Sequence, residues 1–205
     1  TTEIYTLSLH DALPIFTHGQ AMIGKELGLF EKATGTKIDW KAFNAGPSAM
    51  EAMLAGQLDL AYVGPNPAIN AFMRSKGNSL RIIAGAASGG AALVVHADSR
   101  ILGATDLKGK KVAAPELGNT QDVALRHWLK TQGLGAGRDV QVVSAKNPEI
   151  FLFFQRKQVA AAWVPEPWLS RLLQEANGRI LIDEKSLWKN GKFPTAVLVV
   201  RNDYL

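Results

Sequence analysis

From Phe16 to Arg201 the chain keeps switching between two hydrophobic periods, one suited to helices and one to strands, with Gly or Pro at most switches. Residues 19–34 place Met22, Ile23, Leu27 and Phe30 at helical spacing, and Gly35 ends the run. Lys37–Phe43 alternates Ile38 and Trp40 with polar neighbours, as a strand does. Gly46-Pro47-Ser48 opens a helix closed by Gly56; Leu58–Val63 is a strand; Pro67–Lys76 is a helix with Gly77 beyond it. Leu80–Ala84 and Ala91–His96 are strands. The second half keeps the rhythm with strand Lys111–Ala114, helix Thr120–Gln132, strand Val140–Ser144 and a helix whose cap, N1 proline and first-turn acid are Asn147-Pro148-Glu149. Strand Ala160–Val164, helix Pro167–Ala176, and strands Arg179–Asp183 and Thr195–Arg201 complete it. This alternation predicts an α/β fold with mostly parallel sheets. Two such runs meet near Ser88–Gly90, where the chain crosses between lobes. No tandem repeat at a fixed period is present.

Composition removes several function classes. Hydrophobic residues are 47 % of 205, enough for a core, and no apolar run approaches the roughly 18 to 20 residues of a membrane span. Cysteine is absent, which excludes disulfides, thiolate nucleophiles and Cys-ligated zinc. The net charge of +5 admits nucleic acid, membranes or small anions as partners. The tightest basic cluster, Lys108, Lys110 and Lys111, lies in a turn before a strand without interleaved aromatics, so it reads as a solvated turn rather than a nucleic-acid patch.

Residues 1–15, TTEIYTLSLHDALPI, match residue for residue the conceptual translation of a short-read sequencing adapter. They are expected to carry no function. Ile4–Leu9 nevertheless has strand propensity and is expected to take the first-strand position. The expectation is therefore a fragment at both ends, its signal segment missing.

No catalytic constellation emerges. His10, His18, His96 and His127 are scattered, and neither HExxH, GxSxG nor GxxxxGK[ST] occurs. Gly133–Gly137 follows a helix and precedes a strand, the reverse of a nucleotide loop, and is a linker. No catalytic residue, metal site or cofactor is assigned. Polar and small residues gather instead where strands end: Gly64-Pro65-Asn66-Pro67, Ser88-Gly89-Gly90, Gly118-Asn119-Thr120-Gln121 and Pro165-Glu166-Pro167-Trp168. Ligands of open α/β sheets bind beyond the carboxyl ends of strands, and helix starts attract anions. Each segment also reads as a cap or turn, Glu166 as a first-turn helix acid, and Trp163 as core filler.

Taken in order, FTHGQA (16–21), FNAGPSAMEAMLAGQLDLAYVGPNPA (43–68), RIIAGAASGGAALVV (81–95), DLKGKKVAAPELGNTQDVALRHWL (106–129) and AAAWVPEPW (160–168) resemble the substrate-binding proteins of ABC importers for nitrate, aliphatic sulfonates and taurine, the sulfonate branch most closely. The resemblance implies a two-lobed, type II periplasmic-binding fold that closes on its ligand. Lobe I would be 16–90 plus 194–205, and lobe II 91–193. It implies a monomeric, extracytoplasmic receptor for a small anionic ligand, with ABC permease subunits as partners and neither nucleic acid nor a membrane span. Its binding residues map onto Thr17, His18, Gln20, Asn66, Ser88, Gly89, Gly90, Gly118, Asn119, Thr120, Gln121, Trp163 and Glu166. Two departures stand out: Ile15 replaces an expected cleft asparagine, and the chain stops at Leu205 where family members continue. The same fold serves pyrimidine-precursor synthases, which need a cleft His or Cys, and effector-sensing domains of transcription regulators, which carry an upstream helix-turn-helix.

Overall fold

A computed structural model describes residues 18–205 in full and residues 5–10 as backbone. Its elements are β1 Tyr5–His10, α1 Gly19–Glu26, α2 Leu29–Thr34, β2 Ile38–Phe43, α3 Gly46–Leu54, β3 Leu60–Val63, α4 Pro65–Arg74, β4 Leu80–Ser88, β5 Ala91–His96, β6 Lys111–Ala114, α5 Thr120–Thr131, β7 Gln141–Ser144, α6 Asn147–Gln155, β8 Ala161–Pro165, α7 Trp168–Glu175, β9 Gly178–Asp183 and β10 Pro194–Arg201. Two compact units result, residues 1–88 with 194–205, and residues 89–193.

Both units use one topology. In unit 1 the order is β2-β1-β3-β10-β4; β1 pairs parallel with β2 and β3, and β10 pairs antiparallel with β3 and β4. In unit 2 the order is β7-β6-β8-β5-β9; β6 pairs parallel with β7 and β8, and β5 antiparallel with β8 and β9. Four strands of each sheet therefore run one way, as the mostly parallel reading requires. The single reversed strand of each unit, β5 or β10, is the first strand after the chain crosses into that unit. Tyr5–His10 does take a sheet position between β2 and β3, in register from Tyr5↔Ile38 to His10↔Phe43.

Most boundaries fall within two residues of the sequence reading, and two elements differ by more. The helix expected over 19–34 is two helices, because Gly28 adopts a left-handed φ of 59° that breaks the ladder. The strand expected to end at Ala84 continues to Ser88, because β10 keeps pairing with it through Ala196↔Ala87 and Pro194↔Ser88.

Unit 2 is cored on both faces of its sheet. Leu125, Trp128 and Leu129 of α5 pack with Leu93, Val112 and Trp163 on one face. Ile150, Phe151 and Phe154 of α6 and Leu169 and Leu172 of α7 pack with Val94, Ala162 and Val164 on the other. All six residues of β5 are buried, which explains its unbroken apolar run. In unit 1, Met50 and Met53 of α3 and Ala68 and Ala71 of α4 cover Leu58, Val63, Leu80, Val197 and Val199.

One acid lies inside unit 2. Glu184, in the 3-10 turn Glu184–Leu187 after β9, is 1 % exposed and accepts the Trp163 indole N–H at 2.8 Å. Burial pushes its carboxyl up to about 7; the Trp163 bond opposes this and Asp183 adds to it. An unfolded glutamate loses its proton near 4.5. The stability tied to the retained proton is thus complete below pH 4.5 and lost by the time pH passes about 7. Glu184→Gln removes this titration and keeps an acceptor for Trp163. Denaturant melts should show the variant gaining on the order of 1 to 3 kcal/mol over the parent at pH 8 relative to pH 4.5. An equal difference at both pH values would contradict the assignment.

Candidate functional site

The sheet topology brings most of the sequence-predicted residues to one end of each unit's own sheet. In unit 2, β6, β7 and β8 run the same way and lead into α5, α6 and α7 respectively. The reversed β5 begins at that end, opposite the last residue of β8 (Ala91↔Pro165), and the Gly90 carbonyl accepts the Glu166 N–H at 2.8 Å. Gly89, Gly90, Gly118–Gln121 and Glu166 therefore share it. In unit 1, Asn66 is in the first turn of α4 after β3, and Ser88 ends β4. The Gln20 side-chain amide donates to the Ala86 carbonyl of β4. The buried His18 ring sits 6.2 Å from that of Tyr62 on β3. Thr17 lies outside the described residues.

The start of α5 is built with unusual care. Gly118 has a left-handed φ of 81° with open space where a Cβ would stand, so the backbone can turn there and stay accessible. Asn119 is the N-cap; its Oδ1 accepts the Asp122 N–H at 2.8 Å and its Nδ2 donates to Gln121 Oε1 at 3.3 Å. Asp122 is 1 % exposed, and its carboxylate takes the Gly118 N–H at 2.9 Å. Arg126 Nε donates to both Asp122 oxygens, at 2.8 and 3.0 Å, and offsets the acid's charge. Among the described residues the N–H groups of Thr120 and Gln121 donate to no protein acceptor. They point out of a helix end that carries partial positive charge. The Thr120 hydroxyl is also buried without a partner.

Sequence reasoning missed two comparable groups. Among the described side chains of unit 2, the buried polar atoms without a partner are Thr120 Oγ1, Asn147 Oδ1 and Trp168 Nε1. These are the first residues of α5, α6 and α7, at the carboxyl ends of β6, β7 and β8. Each such orphan costs about 1 to 3 kcal/mol until a ligand or ordered water satisfies it. Asn147 reads as a helix cap in sequence, but the observed N-cap is Lys146, whose N–H donates to Glu149 Oε2 at 3.0 Å. Trp168 reads as part of a proline-bounded turn. The usable signal was position: polar or indole side chains placed directly after strand ends.

Two predicted residues also have local tasks. Trp163 is wholly buried in the unit 2 core, against Trp128 and bonded to Glu184, which leaves its ring no face for a ligand. Glu166 spends its two oxygens on the N–H and hydroxyl of Ser170, at 3.0 and 2.9 Å, bracing the start of α7. Asn147→Leu removes the orphaned carbonyl at similar shape. With no ligand present, the variant should match the parent in denaturant melts or gain up to about 1 kcal/mol. A loss above about 1 kcal/mol would mean that Asn147 has a partner after all.

With this geometry in view, comparison with known proteins is direct. The NMT1-like family matches residues 12–205, and the chain belongs to it. It is 28 % identical over 187 residues to the taurine-binding periplasmic protein of Escherichia coli (strain K12), covering 90 % of this chain and 56 % of that one. The crystal structure of the periplasmic aliphatic sulphonate binding protein SsuA from Escherichia coli superposes with a TM-score of 0.76 at 25 % identity, covering 100 % of this chain and 67 % of that one. The periplasmic nitrate-binding protein NrtA from Synechocystis PCC 6803 shares the fold with a TM-score of 0.77 at 18 % identity, covering 98 % and 56 %. The fold is the type II periplasmic-binding fold. The chain spans little more than half the length of the taurine-binding relative.

Proposed function

We propose that this member of the NMT1-like family is the extracytoplasmic solute-binding component of an ABC importer, capturing a small oxyanion and delivering it to permease subunits. The observation that carries the reading is the start of α5, where two unspent N–H groups and a buried, unpartnered hydroxyl converge on one helix end. An aliphatic sulfonate, taurine or nitrate presents three acceptor oxygens, one for each of these donors. The helix end supplies the complementary charge, so the site needs no buried Lys or Arg. The net charge of +5 then speeds encounter through the long-range field rather than by contact. Relatives named for taurine, aliphatic sulphonate and nitrate support the oxyanion class. They are named as binding proteins, which supports capture and release without a chemical step on the ligand.

Thr120→Val keeps the shape and removes the hydroxyl. A hydrogen bond to a charged group is worth about 1.5 to 3 kcal/mol, so affinity for the anion should fall by roughly ten- to a hundredfold. Calorimetric titration with methanesulfonate, taurine and nitrate reads the affinity, and a melt of the ligand-free variant isolates any effect on folding. Unchanged affinity in the variant would place the anion elsewhere. Failure of the parent to bind all three would overturn the oxyanion reading.

A further inference from the structure

Lys110 and Lys111 are exposed, as the solvated-turn reading expects, and both also line a common depression. They line a depression of about 600 Å³ with Arg100, Lys157, His96 and Asp106, all within unit 2. It lies where β5 ends at His96 and β6 begins at Lys111. That is the opposite end of the sheet from the start of α5.

The charge in this cavity is unbalanced. Lys157 is paired with Asp98 at 2.5 Å, and Asp106 Oδ2 accepts the N–H groups of Leu102 and Gly103 at 2.8 and 3.0 Å. Arg100, Lys110 and Lys111 make no ion pair among the described residues. The backbone carrying them is held in place. Arg179 donates to the carbonyls on either side of Arg100, Ser99 at 3.4 Å and Ile101 at 2.5 Å. The carbonyls of Lys110 and Lys111 accept the N–H groups of Gln141 and Ala160 at 3.0 and 2.8 Å. At the cavity wall the His96 ring, 7 % exposed, stacks on Phe154 at 3.9 Å, and its Nε2 donates to the Val159 carbonyl at 3.2 Å. Against the one Asp106 carboxylate, Arg100, Lys110 and Lys111 leave the depression net positive, which raises the local concentration of anions.

We infer that this depression is a second anion site, for a compact polyvalent oxyanion of the polyphosphate type, engaging Arg100, Lys110 and Lys111 together. A monovalent anion offers one charge to share among these cations. A polyanion can meet several of them at once, with charge-assisted bonds to guanidinium and ammonium groups. The site is independent of the oxyanion reading of the α5 start, since the two lie at opposite ends of the same sheet.

The probe is inorganic tripolyphosphate, titrated into the full chain at about 50 mM salt, where screening is modest. Saturable binding with one equivalent is expected, together with a shift of the His96 ring resonances. The double variant Arg100→Ala/Lys111→Ala removes two exposed side chains that make no hydrogen bond or ion pair among the described residues. It should weaken binding about tenfold or more, with an unchanged circular dichroism spectrum. Lys110→Ala serves as a second variant if the double one misfolds. Lys189→Ala/Lys192→Ala, exposed elsewhere in unit 2, should leave the affinity as it was. The inference is overturned by no saturable binding at millimolar probe, by equal weakening in the Lys189/Lys192 control, or by binding of a poly-glutamate peptide but not of tripolyphosphate.

Discussion

Strand direction governs this protein more than any single contact. Because four strands of each sheet run one way, the helices that follow them begin at the same end of that sheet. Helix starts carry unspent N–H groups and partial positive charge, so the topology gathers donors at one end before any side chain is chosen. The single reversed strand adds to this. By starting where its neighbours finish, β5 delivers Gly90 to the Glu166 backbone and β10 delivers Pro194 to Ser88. Sequence then needs only to refrain from consuming what the fold provides.

At the start of α5 that restraint is visible. A first-turn acid would normally compete with an anionic ligand for the helix end. Asp122 is instead turned onto the Gly118 N–H and the Arg126 guanidinium, so it fixes the loop while its charge is compensated. Asn119 caps a later N–H and leaves those of Thr120 and Gln121 unspent. The orphaned atoms of Thr120, Asn147 and Trp168 are a standing cost to folding, and they repeat at three consecutive helix starts. A cost repeated at equivalent positions is the pattern expected where binding, rather than stability, sets the residue.

Much of this was legible in sequence, because hydrophobic period and Gly/Pro punctuation report local structure directly. The strand-end segments around Asn66, Ser88, Gly118–Gln121 and Glu166 stand at the ends of strands in the structure. What period cannot report is which strand lies beside which. The shared topology of the two units, with β5 and β10 reversed, leaves no fixed-period trace. Partners are equally invisible: Trp163 and Trp168 sit five residues apart, yet one is sealed in the core by Trp128 and Glu184 and the other opens a helix with its N–H unspent. Gly28 looked like one more residue in a helical run until its left-handed φ broke that run in two. Glu184 carries no sequence signal, since its raised carboxyl depends on burial beside Trp163.

The central claim is that the unspent N–H groups at the start of α5 hold an oxyanion. An amide-resolved NMR titration with methanesulfonate tests it most directly. The account predicts that the Thr120 and Gln121 amide protons move downfield together and saturate with one affinity, while amides in the middle of α5 stay in place. Saturable binding that leaves those two amides unmoved would contradict it.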